Sequence, residues 1–179
     1  MKPEQQALNE AVVAGNIPAI ADALALGADI NFCDHLNHTP LVNALRYFFE
    51  YPDLSEQKRL SVVRFLVAHG ANVNSPGEDG CRPLFYAAIE WYDQIFEYLL
   101  SCGADPNFLL ENDTESLFDW VICDWRQDFF NLDEPEWPLE GEDDVDWLSR
   151  IAAKYGKPQP RILQMLKAAG AKHYHELRR

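Results

Sequence analysis

Apolar residues recur at helical spacing ahead of three glycines. Ile20, Ala23 and Leu24 lie seven, four and three residues before Gly27; Val63, Leu66 and Val67 stand in the same relation to Gly70, and Phe96, Leu99 and Leu100 to Gly103. Residues so spaced share one face of a helix with 3.6 residues per turn. Each stripe predicts a helix that buries one side and stops at its glycine, where the chain turns left-handed at little steric cost. The glycines open a recurring phrase: Gly27-Ala28-Asp29-Ile30-Asn31, Gly70-Ala71-Asn72-Val73-Asn74 and Gly103-Ala104-Asp105-Pro106-Asn107, with a truncated echo at Gly170-Ala171-Lys172. The Asp or Asn that follows can bond to local backbone in a turn.

A second helix is predicted upstream of the stripe. In Thr39-Pro40-Leu41-Val42-Asn43-Ala44-Leu45 and Arg82-Pro83-Leu84-Phe85-Tyr86-Ala87-Ala88 a proline occupies the first turn, where it has no donor to lose. Gly70 and Gly103 are 33 residues apart, the period at which a turn and two short helices form one stacking unit. These residues resemble the ankyrin repeat, whose signature is Thr-Pro-Leu-His-x-Ala in the first helix and Gly-Ala-Asp-x-Asn after the second. The resemblance implies an all-α fold, an ankyrin-like α-solenoid of stacked helix-turn-helix units joined by short β-turn hairpins, and a binding scaffold in place of an enzyme.

The match is uneven along the chain. The first unit, through Leu8-Asn9-Glu10-Ala11 and Ala14-Gly15-Asn16, lacks the Thr-Pro entry, as a capping repeat does. Val42 stands where the family has histidine, and Trp91-Tyr92 replaces Gly-His between two helices, which leaves the length of that turn open. The last unit keeps only Leu117 of the entry motif, within Glu115-Ser116-Leu117. One domain of four repeats is expected, at about 5–36, 37–79, 80–112 and 113–175.

Two intervals break the period. Gly27 to Gly70 spans 43 residues, and the ten extra fall around Phe48 to Glu56, where Ser55 can cap a lengthened helix. Gly103 to Gly170 spans 67, an excess of 34 that is close to one whole repeat. One period after Gly103, however, stands Glu136-Trp137-Pro138, with no glycine stop and no stripe before it. Insertions are therefore expected at about 48–59 and 128–157, the second lying between helices at Ser116–Arg126 and Pro160–Ala168. Trp147, Leu148, Ile151, Ala152 and Tyr155 predict a further helix within it, from Val145 to Tyr155.

Charge singles out the second insertion. Of the net −14, residues 111–146 carry fourteen acids against Arg126 alone, while residues 147–179 carry eight bases against one acid. Such a field repels nucleic acid and anionic lipid and steers a basic protein inward. Trp125, Phe129, Phe130, Trp137 and Trp147 are interleaved with the acids, the makings of an interface. Solvated acids and tryptophans packed on the repeat core are the alternative, and the basic stretch Arg150, Lys154, Lys157, Arg161 and Lys167 can neutralise part of the field. Residues 133–140 are the expected projecting arm.

No catalytic motif, phosphate-cradling loop or calcium loop is found, and Cys33, Cys81, Cys102 and Cys123 lack the close spacing of zinc ligands, so no cofactor or metal is expected. His173 and His175 read as exposed residues of the tail. No apolar run approaches the roughly 18 residues of a membrane span, and the N-terminus has no signal-like segment, which points to a cytoplasmic chain. The expected function is non-catalytic binding of a basic protein by a chain that is monomeric when free, with neutralisation of a cationic toxin or nuclease as one form of it. A general adaptor with a solvated acidic loop and a mimic of nucleic acid are the alternatives.

Two surfaces are candidates for contact. One is the insertion, through Asp133, Glu134, Glu136, Trp137, Glu140, Glu142, Asp143, Asp144 and Asp146. The other is the concave face that the resemblance implies, formed by hairpin tips and first helices. Its residues are His35, Leu36, His38, Arg46 and Tyr47; Glu78, Asp79, Cys81, Ile89 and Glu90; and Glu111, Asn112 and Thr114. Core packing is the alternative for Tyr47 and Ile89.

Overall fold

A computed structural model describes residues 2–46, 54–77, 80–110, 115–129 and 136–178, with only backbone considered at 128 and 129. The described chain is helical, and it groups into two compact units, Met1–Asp105 and Pro106–Arg179. The first unit holds α1 (Pro3–Val13), α2 (Ile17–Ala25), α3 (Pro40–Arg46), α4 (Glu56–Ala68), α5 (Pro83–Ile89) and α6 (Asp93–Ser101). Successive helices pair as α1 with α2, α3 with α4 and α5 with α6; α1, α3 and α5 pack side by side in one layer, and α4 packs on α6 in another. Leu8, Ile20, Leu41, Leu45, Val63, Leu66, Leu84, Ile95, Phe96 and Leu99 fill the space between the layers and are fully buried.

Each phrase ends its helix in the same way. Gly27, Gly70 and Gly103 take φ of +93°, +95° and +85°, and the next amide reaches back to the last turn: Ala28 to the Ala23 carbonyl, Ala71 to Leu66, Ala104 to Leu99. This six-residue closure satisfies a carbonyl that the helix leaves open. The turn between α5 and α6 is built identically around Trp91, at φ +54°, with Tyr92 donating to the Ala87 carbonyl, just as Asn16 donates to Ala11 beyond Gly15 at φ +67°. Replacing Gly-His by Trp91-Tyr92 thus leaves the turn length unchanged, and a tryptophan sits where the backbone favours glycine.

The phrases are also bonded to one another. Asn31 donates its side-chain amide to the Gly70 carbonyl (3.0 Å) and accepts from the Asn72 amide (2.8 Å). Asn74 repeats the pair on Gly103 (3.0 Å) and Asp105 (2.8 Å). At the first phrase, buried Gln5 of α1 takes this role, accepting from the Asp29 amide at 2.9 Å and donating to its carbonyl at 3.1 Å.

Side chains of different kinds cap the helix starts. Asn16 accepts from Ala19 in α2, and Ser55 accepts from Lys58 in α4, as its position suggests. Tyr92 offers α6 no cap, and Glu56 of α4 supplies one, accepting from the Gln94 amide at 2.8 Å. The α4 helix begins at Glu56, and residues 47–53 lie outside those described.

In the second unit, α7 (Leu117–Phe129), α8 (Asp144–Lys154), α9 (Arg161–Ala168) and α10 (Tyr174–Leu177) follow a single antiparallel bridge between Leu109 and Ser116. The α7 helix runs three residues past its expected end, while α8 and α9 lie within one residue of theirs. The α8 helix packs on both α7 and α9, burying Trp147, Leu148, Ile151 and Ala152, and Trp125 of α7 is buried as well. Arg126 lies over the Trp147 ring at 5.1 Å. These two tryptophans are core residues and not contact residues of an interface. Asn107 donates to the Gly170 carbonyl at 3.2 Å and accepts from Lys172 at 2.9 Å, across 63 and 65 residues of chain.

His173 is not an exposed tail residue. Its Nδ1 lies 2.6 Å from Asp119 Oδ1, and the Tyr174 amide donates to the other carboxylate oxygen at 2.6 Å. Ser116 completes the set at 2.8 Å. Burial pushes the Asp119 carboxyl up, but these hydrogen bonds outweigh it and leave it below the usual value.

Replacing Asn74 by alanine removes one donor and one acceptor between phrases, and a loss of about 1–2 kcal/mol is expected as a lower urea midpoint with unchanged slope. Asn74→Asp should not restore the loss, because a carboxylate accepts from Asp105 but cannot donate to Gly103. A Cβ at Gly103 would meet no atom within 4 Å. The roughly 1–2 kcal/mol expected for Gly103→Ala is therefore purely conformational, and thermal unfolding should show it without loss of helix content.

Candidate protein-binding site

The acidic segment before α8 is held by its own cations. Asp143 caps α8, accepting from Val145 and Asp146 amides at 3.0 Å each, and Asp144 and Asp146 occupy the first turn, where helix polarity favours acids. The preceding turn is closed by the Glu142 amide on the Leu139 carbonyl (3.0 Å) and the Leu139 amide on Glu142 Oε2 (2.8 Å), with Gly141 at φ +80°. Arg150, two turns into α8, grips Glu142 through Nε and Nη2, both at 2.8 Å. The same guanidinium reaches Glu136 Oε2 at 3.1 Å and the Trp137 carbonyl at 3.3 Å.

Further bonds fix the start of the segment. Trp147 donates its indole N–H to the Glu136 carbonyl at 3.0 Å, and Lys154 and the Tyr155 hydroxyl both donate to Glu136 Oε1. Lys167 of α9 bridges Asp143 (2.8 Å) and Asp146 (2.9 Å). Arg150 is the main reason the Glu142 carboxyl is lowered to about 2, with the Leu139 amide second. Lys154 lowers Glu136, and Lys167 lowers Asp143, while the three bases are raised in turn.

This geometry corrects the projecting arm. Residues 136–142 are strapped to α8, because Arg150 is long enough to reach a bidentate carboxylate and a main-chain carbonyl at once. Of the insertion candidates, Glu136, Glu142, Asp143 and Asp146 are engaged internally. Glu140 is exposed and Asp144 half-buried, and Asp133 and Glu134 lie outside the described residues. Trp137 and Leu139 stand 67% and 61% exposed on the strap.

The concave-face candidates divide differently. His35 is exposed and Leu36 half-buried. His38, expected to be an exposed contact, is fully buried. The reason is the turn before α3: Asp34 accepts from the Leu36 and His38 amides and from the Asn43 side chain, folding the histidine inward. Burial raises the Asp34 carboxyl, but those bonds prevail and hold it low. Arg46, half-buried, donates to His38 Nδ1 at 2.9 Å, which makes that nitrogen the acceptor. Cys81, Ile89 and Glu90 are half-buried, and burial pushes the Glu90 carboxyl up. Tyr47, Glu78, Asp79, Glu111, Asn112 and Thr114 lie outside the described residues.

Several working residues carry no obvious signal. Arg59 is buried, donating to the Ala44 carbonyl (3.0 Å) and the Leu54 carbonyl (3.3 Å), so it ties together chain on both sides of residues 47–53. Nothing about an arginine inside an amphipathic stretch distinguishes this role from an exposed one. The recurring last asparagine of the phrase did carry a signal, its presence at 31, 74 and 107.

Paired helices stacked in two layers, with left-handed stops joined by asparagine, define a helical repeat scaffold. The ankyrin-repeat family profile matches residues 8–109 in three copies, and the chain belongs to the ankyrin-repeat family. Repeats of this family generally mediate protein–protein interactions. An ankyrin repeat protein of Borreliella burgdorferi is 30% identical over 54% of this chain and 39% of its own length. The palmitoyltransferase AKR1 of Lachancea kluyveri is 46% identical over 30% of this chain and 7% of its own. The human BCL-6 corepressor-like protein 1 is 27% identical over 66% of this chain and 6% of its own. The chain thus spans well under half the length of these relatives. No helix among the described residues is long and apolar enough to cross a membrane.

A lowered carboxyl stabilises the folded state above its unfolded value and loses that contribution as pH falls through the folded one. For Glu142 the window runs from 4.5 down to about 2. Native protein should therefore lose its thermal advantage over Glu142→Gln across this interval on acidification, as melts at successive pH values would record.

Proposed function

We propose that this chain is a non-catalytic module that binds a basic protein, with residues 106–179 forming a fourth ankyrin unit interrupted by the acidic segment. Support for the fourth unit comes from Asn107, which treats Gly170 and Lys172 as Asn74 treats Gly103 and Asp105. Support for a basic partner comes from one observation above all. Residues 136–146 carry six carboxylates and no base, and among the described residues three cations, Arg150, Lys154 and Lys167, pair with them, so a negative excess faces solvent. An excess of this kind accelerates encounter with a cationic surface and repels phosphate backbones.

Neutralisation of a cationic toxin or nuclease is the form of this proposal that size and charge favour. The ion pairs on Glu136, Glu142 and Asp143 favour a second reading, an adaptor whose acids serve to fold the segment. Capture of partners followed by titration separates the two. The basic-partner proposal expects captured proteins of high isoelectric point, with affinity falling about tenfold or more between low and high salt. Affinity that ignores salt, or survives Glu140→Gln with Asp144→Asn undiminished, sinks it in favour of the adaptor.

A further inference from the structure

Two large apolar side chains, Trp137 and Leu139, are held in water on a strap that is fixed at several points. The Glu136 and Trp137 carbonyls accept from Trp147 and Arg150, and the Leu139 amide and carbonyl both bond to Glu142. Pro138 between them restricts the backbone further. Most exposed apolar residues are scattered and need no explanation, but here a tryptophan and a leucine are two positions apart on backbone that hydrogen bonds hold in place. An anchor fixed before binding loses little entropy when it is covered.

We propose that Trp137 and Leu139 are the contact residues of this segment, docking on an apolar surface of a protein partner bordered by lysine and arginine. Glu136, Glu142 and Asp143 are struts that hold the anchor. The occupant follows from charge. The six carboxylates of residues 136–146 exceed by three the cations that pair with them among the described residues, and Glu140, next to Leu139, is exposed. A rim of lysine and arginine complements that excess, whereas an acidic rim is repelled. This inference rests on the basic-partner proposal and assigns its contact to two residues whose side chains the fold does not use.

The test employs the full chain and two synthetic amphipathic peptides, one built from leucine and lysine and one from leucine and glutamate. NMR of the native protein should show the leucine–lysine peptide shifting the Trp137 indole N–H and the Leu139 methyl signals. Trp137→Ser with Leu139→Ser should weaken that peptide about 30-fold or more, the loss of a central anchor. Glu140→Gln with Asp144→Asn should weaken it only severalfold. Equal binding of the leucine–glutamate peptide, or unmoved Trp137 and Leu139 signals, overturns the proposal. If the serine double variant binds the leucine–lysine peptide as well as the native chain while the Glu140, Asp144 variant does not, the anchor is wrong and the basic-partner proposal still stands.

Discussion

The side-chain amide of one asparagine per phrase is the interaction on which the stack depends. A phrase leaves a glycine carbonyl and, two residues on, an amide pointing toward its neighbour, and backbone groups of this kind require partners. A primary amide supplies one donor and one acceptor in the plane of a peptide group, so Asn31 and Asn74 each satisfy both within the first unit. Asparagine is required at this place because aspartate cannot donate and an apolar residue can do neither. Two positions after the glycine the demand is smaller. Asp29 and Asn72 each accept from the amide of the phrase's last residue, so an acceptor suffices and either residue serves. The variation at one position and the constancy at the other have the same cause.

Because the rungs join phrases, a longer interval between two phrases leaves them intact. Asn31 meets Gly70 although the interval is ten residues long by comparison with the next, and Asn107 meets Gly170 within the second unit across 63 residues. The length of chain between phrases is therefore free to vary. In the first unit one guanidinium, that of Arg59, bonds both Ala44 and Leu54, on either side of residues 47–53.

Periodic features were legible in the sequence, and those that depend on distant partners were not. The stripes before Gly27, Gly70 and Gly103, the first-turn prolines and the Ser55 cap are local, and each predicts an element within a residue or so of where it lies. His38 was misread because its burial follows from Asp34 gathering three donors, a turn that the hairpin pattern does not announce. His173 was misread because its partner Asp119 is 54 residues away. Glu56 reads as an ordinary first-turn acid of its own helix, yet it also caps α6. In the insertion, the composition revealed the acids and bases but not their pairing, which depends on where α8 points Arg150 and Lys154.

That pairing changes what the acidity means. In the sequence the carboxylates form a run of similar groups, and every one is an equal candidate for contact. In three dimensions Glu136, Glu142 and Asp143 divide from Glu140, since the former meet cations and amides of their own fold. An ion pair already formed has little left to offer a partner, because a new cation must compete with one in place and displace its hydrogen bonds. Unpaired charge governs how fast and at what salt a partner arrives, while affinity requires surface that can be dried. On the strap the apolar surface open to solvent is Trp137 and Leu139, so in the proposed mode of binding the acids act at two removes: some build the platform, and the remainder select what approaches it.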